Sequence, residues 1–437
     1  MCCRKGPDRV ATDGRKPLLP ALLRTAVLAA ACVLPGSPAA ANEWLACVKE
    51  LRSLATGKGI SAQVFDKAFT GVEPDADILK AFDNQPEFTI PIWDYLSGLV
   101  DEERVVDGRR LMEKWADVLA RAEEKFGVDR FVIAAVWGVE SDYGRIMGKR
   151  ELVRSLATLS CSGRRQAFFR GELLATLRIV ESGDIPPEAL VGSWAGAFGQ
   201  TQFMPTTFQR LAIDFDGDGR RDIVGSVPDA LGSTANYLRR AGWVTGQPWG
   251  YEVRLPANYG GPAGRRTKQS IAQWSELGIR RVDGSALDGA GPAGLLLPSG
   301  AKGPAFIVLR NFDAIFAYNA AESYALAIAH LADRLGGAGS FRTPWPTDDP
   351  GTGRAERREV QQRLLDRGYD VGAPDGIVGT RTRTAISAFQ ASAGLPQDGR
   401  AGRRVLQALR GASTTGTSTT GTSSTPGSTP ATAAPLR

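Results

Sequence analysis

Phe131-Val-Ile-Ala-Ala-Val-Trp-Gly-Val-Glu-Ser-Asp-Tyr-Gly-Arg145 is the stretch on which the reading of this chain turns. Its first nine residues are almost wholly apolar, and a helix apolar on every side is normally a buried one. Glu140 is the carboxylate delivered at the end of that helix. Taken out of water, a carboxyl group favours its neutral form and its pKa rises, which suits a proton donor. Trp137, Gly138, Tyr143 and Gly144 around it fit a cleft that admits a bulky substrate. From this stretch alone a second reading stays open, in which Glu140 is an ordinary helix terminus facing water.

The whole chain narrows the chemistry. Its 437 residues exceed one typical domain, so two folded units with tails are expected, and 43% hydrophobic residues supply a sizeable core. Lys+Arg 53 against Asp+Glu 47 gives a net charge of +6 with both signs interspersed, which argues against nucleic acid and suits an anionic polymer such as a cell wall. The single histidine, His330, lies in the apolar stretch Tyr324-Ala-Leu-Ala-Ile-Ala-His-Leu331 and reads as part of a packed helix. Ser-His-Asp and Cys-His mechanisms would all have to pass through it, and multi-histidine zinc sites are excluded. Chemistry therefore falls to carboxylates.

Arg4, Lys5, Arg9, Arg15, Lys16 and Arg24 precede the apolar run Ala26–Leu34 and then Pro38-Ala-Ala-Ala41. That is the layout of a secretory signal peptide over residues 1–41, cut after Ala41, with an apolar run too short to span a membrane comfortably. It implies a periplasmic location; lipid anchoring at Cys32 ranks second. Cys2, Cys3 and Cys32 fall in the leader, leaving Cys47 and Cys161 as candidates for one disulfide in an oxidising compartment.

Helical spacing of apolar residues runs from Glu43 to about Arg130, and further helices are expected at Arg165–Glu181 and Ala230–Ala241. Between Tyr251 and Asn311 glycine and proline become frequent, and Tyr251–Leu255 and Ala305–Leu309 read as strands of a small β-containing insertion. Residues 341–355 read as a linker, 356–410 as a second small unit, and the Ser/Thr/Gly/Pro tail 411–437 as disordered. Downstream of Glu140, Gly192-Ser-Trp-Ala-Gly-Ala-Phe-Gly-Gln-Thr-Gln-Phe-Met-Pro205 mixes small residues, aromatics and the amides Gln200 and Gln202, which can hydrogen-bond hydroxyl and N-acetyl groups. A tight helix–loop junction is the alternative for that segment.

Glu-Ser-Asp-Tyr-Gly-Arg145, Gly-Gln-Thr-Gln-Phe-Met-Pro205, Tyr318-Asn319, Gln85-Pro-Glu-Phe88, Gly163-Arg-Arg165 and Ala235-Asn-Tyr237 together resemble the membrane-bound B type of lytic murein transglycosylase, from about Trp44 to Leu335. The resemblance implies a mainly α (α+β) protein with a lysozyme-like catalytic domain over residues 42–340. It implies Glu140 as sole catalytic acid and base, with Ser193, Gln202, Tyr237, Tyr318, Asn319 and Tyr324 lining the sugar cleft and Arg164 and Arg165 near the substrate. Each tyrosine also fits plain packing. The implied reaction cuts the bond between N-acetylmuramic acid and N-acetylglucosamine and closes a 1,6-anhydro ring with the muramic C6 hydroxyl. No cofactor enters that chemistry, and the partners implied are peptidoglycan strands and periplasmic cell-wall machinery.

Most glycosidases use two carboxyl groups, and Asp142 is the rival second one. Two residues apart on a helix the side chains face different ways, so a structural role is expected for Asp142. Were it in the cleft, a hydrolytic muramidase would be the better reading; a catalytically silent wall-binding scaffold is the third.

Asp214-Phe-Asp-Gly-Asp-Gly-Arg-Arg-Asp222 opens like an EF-hand loop, and the resembled family carries calcium here. Gly225 stands where the bidentate Glu belongs, so the expected ligands are Asp214, Asp216, Asp218, the Arg220 carbonyl and Asp229, with Asp222 in reserve; a metal-free Asp/Gly turn is the alternative. In the second unit, Gly368-Tyr-Asp-Val-Gly-Ala-Pro-Asp-Gly-Ile-Val-Gly379 is echoed by Gly394-Leu-Pro-Gln-Asp-Gly-Arg-Ala-Gly402, which resembles the three-helix peptidoglycan-binding domain. Its expected role is avidity, tethering the enzyme to an insoluble polymer.

Overall fold

A computed structural model of the chain describes residues 38–83 and 90–411. Most of the leader, Cys32, the Gln85–Phe88 motif and nearly all of the C-terminal tail lie outside the described residues. The chain is mainly helical with small sheets, a lysozyme-like α+β fold followed by a helical C-terminal domain.

Helix Arg130–Ser141 runs through the main core. Asp129 caps its start, its carboxylate accepting from Phe131 N at 2.7 Å. Every residue from Val132 to Gly138 is buried, against Leu231 and Leu238 of helix Val227–Arg240 and Leu326 and Ile328 of helix Glu322–Leu335. The helix stops because Asp142 adopts the left-handed conformation (φ 53°), with closing hydrogen bonds from Asp142 N to Gly138 O (3.0 Å) and Tyr143 N to Trp137 O (3.2 Å).

A second core lies under the N-terminal helices Pro38–Gly57 and Ala62–Ala68, where Leu51 and Phe65 meet Leu156, Phe169 and Leu173 of helices Leu152–Cys161 and Gln166–Ser182. Cys47 and Cys161 are disulfide-bonded across it, with Cα atoms 5.8 Å apart. The insertion is a five-stranded antiparallel sheet in the order Gly264–Gln269, Ala293–Leu296, Ala305–Val308, Gly250–Arg254, Arg280–Arg281. Its alternation explains its placement: Leu295 and Ile307 turn to a small core with Trp274 and Tyr251, while Leu296, Phe306 and Val308 turn to the main core. With its central strands buried on both faces, those strands read as continuous apolar runs.

His330 is buried and stacked on Phe341 with ring centroids 3.8 Å apart, and burial lowers its pKa to about 3. It is a neutral packing residue.

The C-terminal helices are Arg354–Leu365, Thr380–Ser392 and Arg403–Gly411, around Val360, Leu364, Ile386, Phe389, Val405 and Leu409. The sequence echo has a physical counterpart. Buried Gln361 donates to Asp375 Oδ1 (3.1 Å) and accepts from Gly376 N (2.7 Å), and buried Gln390 does the same for Asp398 (2.7 Å) and Gly399 N (2.9 Å).

The first of these helices starts at Arg354, within the stretch read as linker, because Glu356 reaches back to Gly353 N (3.0 Å) and caps it. The preceding strap is also tied down. Arg342 N and Thr343 N donate to Glu252 (2.8 and 2.7 Å), and buried Asp349 accepts from Arg404 N (2.8 Å). Its composition signalled turns; its hydrogen bonds were invisible in composition.

Candidate active site

Glu140 is half-buried at the end of its helix and lines a cleft of about 1160 Å³ whose far wall is the C-terminal domain. Burial raises the carboxyl from 4.5 to about 7, against a smaller lowering by the Tyr324 hydroxyl, which donates to Glu140 Oε1. The group thus holds a proton near neutrality and has one fixed partner. Burial and the neighbouring Glu140 charge keep the Tyr324 hydroxyl well above its ordinary value, so it stays a donor.

Beside Tyr324 an aromatic wall continues through Tyr318 (centroids 6.3 Å), Tyr237 (4.5 Å from Tyr318) and Phe203 (5.9 Å from Tyr237). The hydroxyls of Tyr318 and Tyr237 donate to Thr201 O (2.7 Å) and Ala317 O (2.6 Å), which fixes both rings. Asn319 closes helix Arg310–Asn319 and lines the same cleft.

The Gly192–Pro205 segment is pinned to the helix end. Ser141 Oγ donates to Gln200 O (2.5 Å) and accepts from Gly144 N (2.8 Å), and Trp137 Nε1 donates to Gln200 Oε1 (3.0 Å). Gln200 Nε2 goes to Val224 O (3.1 Å), so this amide braces the backbone. Gln202, held at φ 50°, donates through Nε2 to Met147 O (3.1 Å) and Gly199 O (2.7 Å), while Ser193 Oγ accepts from Ala197 N (3.0 Å). Arg164 and Arg165 are exposed after helix Leu152–Cys161, with Arg165 over the Phe168 ring at 4.3 Å, outside the cleft that holds Glu140.

Asp142 is buried and faces three guanidinium groups: Arg104 Nε (3.2 Å), Arg145 Nε (2.8 Å) and Arg354 Nη2 (2.8 Å). Burial works against ionisation, but these cations outweigh it and bring its pKa down to about 2. The other described acids of the cleft are engaged as well. Asp94 pairs with Arg400 (2.6 Å), Asp375 accepts from Gln361 and Ile377 N (2.8 Å), and Asp398 accepts from Gln390 and Arg400 N (3.0 Å). Glu140 is the cleft carboxyl set apart by a raised pKa and a hydroxyl partner.

Asp94, Arg104, Arg354 and Arg400 had no place in the sequence reading. Arg354 and Asp142 are 212 residues apart, and a charge in a presumed linker carries no signal of its partner.

In the Asp214 loop, carboxylate oxygens of Asp214, Asp216 and Asp229 lie within 4.8 Å of one another. Asp229 is buried and accepts from Phe215 N (2.7 Å) and Asp222 N (2.7 Å), drawing the loop around itself. Asp218 is exposed and accepts from Arg220 N (2.9 Å), Asp222 accepts from Val224 N and Gly225 N (both 2.8 Å), and neither has an oxygen in the cluster. The assembled donors are hard carboxylate oxygens, a set that fits calcium.

The Transglycosylase SLT domain family model matches residues 43–333. The chain belongs to this family. A peptidoglycan binding domain model matches residues 353–409. Membrane-bound lytic murein transglycosylase B of Escherichia coli is 36% identical over 246 residues, a match spanning 55% of this chain and 66% of that protein. SltB3 of Pseudomonas aeruginosa, solved in complex with NAG-anhNAM-pentapeptide, is 46% identical, with a TM-score of 0.68, covering 84% of this chain and 99% of that one. The E. coli lytic transglycosylase Slt35, solved in complex with calcium, is 32% identical, with a TM-score of 0.60, over 66% of this chain and 92% of that one. As an SLT transglycosylase, the chain carries its peptidoglycan binding match on the domain that walls the Glu140 cleft.

Proposed function

We propose that the chain is a peptidoglycan lytic transglycosylase in which Glu140 acts first as acid and then as base. One observation carries this reading: a half-buried carboxyl near pKa 7, donated to by Tyr324, in a cleft whose other described carboxylates are engaged elsewhere. Protonated Glu140 gives its proton to the glycosidic oxygen between N-acetylmuramic acid and N-acetylglucosamine, and the bond breaks to an oxocarbenium-like centre. The carboxylate left behind takes the proton of the muramic C6 hydroxyl as that oxygen attacks the centre. A 1,6-anhydro ring closes, no water is consumed, and Glu140 regains its proton.

Hydrolysis in the two-carboxylate mode would want a second free carboxylate, and Asp142, fixed by three arginines, is unsuited to that work. Half-buried Tyr318 and Tyr237 offer ring faces for sugars, and Tyr324 lines the cleft with its hydroxyl on Glu140. Ser193, through its O–H, and Gln202, through Oε1, supply polar contacts for N-acetyl groups, and Asn319 supplies another from the cleft lining; Arg164 and Arg165 meet substrate beyond the cleft. The SltB3 complex with an anhydro-muramic product supports the same outcome here.

Asp214, Asp216 and Asp229 would hold a structural calcium that stiffens the loop and takes no part in bond breaking. No helix among the described residues is long and apolar enough to cross a membrane, and the N-terminal leader pattern supports export to the periplasm. The deciding experiment digests purified peptidoglycan with wild type and Glu140→Gln and weighs the products. Anhydro ends that vanish in the variant are expected; reducing ends would turn the assignment to a muramidase, and no release by wild type would turn it to a binding scaffold.

A further inference from the structure

The backbone directly after the Glu140 helix is unusual. Asp142, Tyr143 and Gly144 stand successively at φ 53°, 59° and 85°, and two of these three are not glycine. L side chains rarely adopt that region, so a turn of this kind persists only where its surroundings hold it. Tyr143 is held inside the catalytic domain. Its hydroxyl donates to Arg104 O (3.0 Å), and its ring packs so closely on Gly138 that a Cβ there would meet it at 2.7 Å.

Asp142 is held from both domains. Arg104 and Arg145 reach it from the catalytic side, while Arg354 of the first C-terminal helix spans both carboxylate oxygens, Nη2 to Oδ1 at 2.8 Å and Nη1 to Oδ2 at 3.1 Å. Such a fork fixes orientation as well as charge. Arg354 is itself aimed: its stem passes Gly376 of the first Asp-Gly turn, where a Cβ would come within 2.7 Å of Arg354 Cγ. The turn that follows the acid is therefore locked by a side chain that the other domain positions.

We infer that Arg354 is a positioning residue for the reaction: it completes the cage around the Asp142–Gly144 turn, so the C-terminal domain sets the rate of bond cleavage at Glu140 as well as the hold on the polymer. This rests on the proposed role of Glu140. A docking or tethering role alone would raise KM on insoluble wall and leave turnover of a short soluble strand untouched. A positioning role lowers kcat on that soluble strand.

The test measures kcat and KM of the full chain on a soluble tetrasaccharide of alternating N-acetylglucosamine and N-acetylmuramic acid. Wild type, Arg354→Ala, Arg354→Lys, Glu103→Gln and Glu140→Gln are compared. Glu103→Gln weakens a different inter-domain pair, with Arg358, and serves as the docking control. Expected for Arg354→Ala is a kcat lower by about tenfold or more with KM little changed, since small misplacements near reacting groups cost this much. Arg354→Lys keeps the cation without the fork and falls between; it also carries the test should Arg354→Ala not fold. Glu103→Gln keeps wild-type kcat. Wild-type kcat in a folded Arg354 variant, a change in KM alone, or an equal kcat loss in Glu103→Gln would each overturn the inference. Activity in Glu140→Gln would instead overturn the proposed function.

Discussion

Replacing Glu140 by Gln should abolish cleavage and at the same time make the protein more stable, in a way that depends on pH. The folded carboxyl titrates near 7 against an ordinary 4.5 because burial penalises its charge. Below 4.5 the group is protonated in folded and unfolded chains alike, and it costs nothing. As pH rises toward 7 the unfolded chain gives up the proton while the folded one keeps it, so stability is lost across that window and the loss levels off above it. At about 1.4 kcal/mol per pH unit the full cost comes to about 3 kcal/mol. Gln has nearly the same shape, accepts from Tyr324 through its amide oxygen, and never ionises. All nine tryptophans precede Arg354, eight within residues 42–340 and Trp345 in the strap packed on the main core, so tryptophan fluorescence in a urea titration follows the catalytic domain and the strap against it. At about pH 8 the variant should be more stable by about 3 kcal/mol, and at about pH 4 the two curves should coincide. Equal stability at the higher pH, or a gap confined to the lower one, would refute the buried, proton-holding carboxyl.

Tyr324→Phe removes a hydrogen bond that lowers the Glu140 pKa, so the falling alkaline limb of kcat/KM should move up by about one pH unit, and an unmoved or lowered limb would count against the contact. Asp142→Asn leaves three guanidinium groups around a neutral amide and should cost about 2–3 kcal/mol in urea unfolding near neutral pH, the worth of a carboxyl held at about 2 against an ordinary 3.8. That gap should close as pH falls through about 2, where wild-type Asp142 also loses its charge. Reducing Cys47–Cys161, which are 114 residues apart, should lower stability by about 4 kcal/mol, read from Tm with and without reductant, with free-thiol mass analysis to verify the bond. Added calcium should raise Tm, chelator should reverse it, and Asp216→Asn should blunt it; a Tm indifferent to calcium would make the Asp214 loop a turn only.

What was legible in the sequence was local. The apolar run ending at Glu140, the Asp-Gly echo near Gly376 and Gly399, and the spacing of Asp214, Asp216 and Asp229 from one another all lie within reach of a helix or a loop. The rest depended on distant partners. Gln200 looked like a sugar-binding amide until its two ends met Trp137 and Val224, 63 and 24 residues away. Asp142 was expected to face away from Glu140 on the helix; it instead stands in the left-handed turn past the helix end and lines the same cleft, with its carboxylate held by three arginines. Residues 341–355 carry turn formers and so read as a linker, whereas burial of Asp349 and its bond to Arg404 N tie that stretch to the packed surface.

That strap leaves little slack. A wall-binding module on a loose leash would search a sphere and raise the local concentration of any strand within it, and a longer leash would change that only slowly. Here Glu252 grips one end of the strap and Arg404 the other. The module and the acid therefore stand at a set separation, like the two jaws of a caliper.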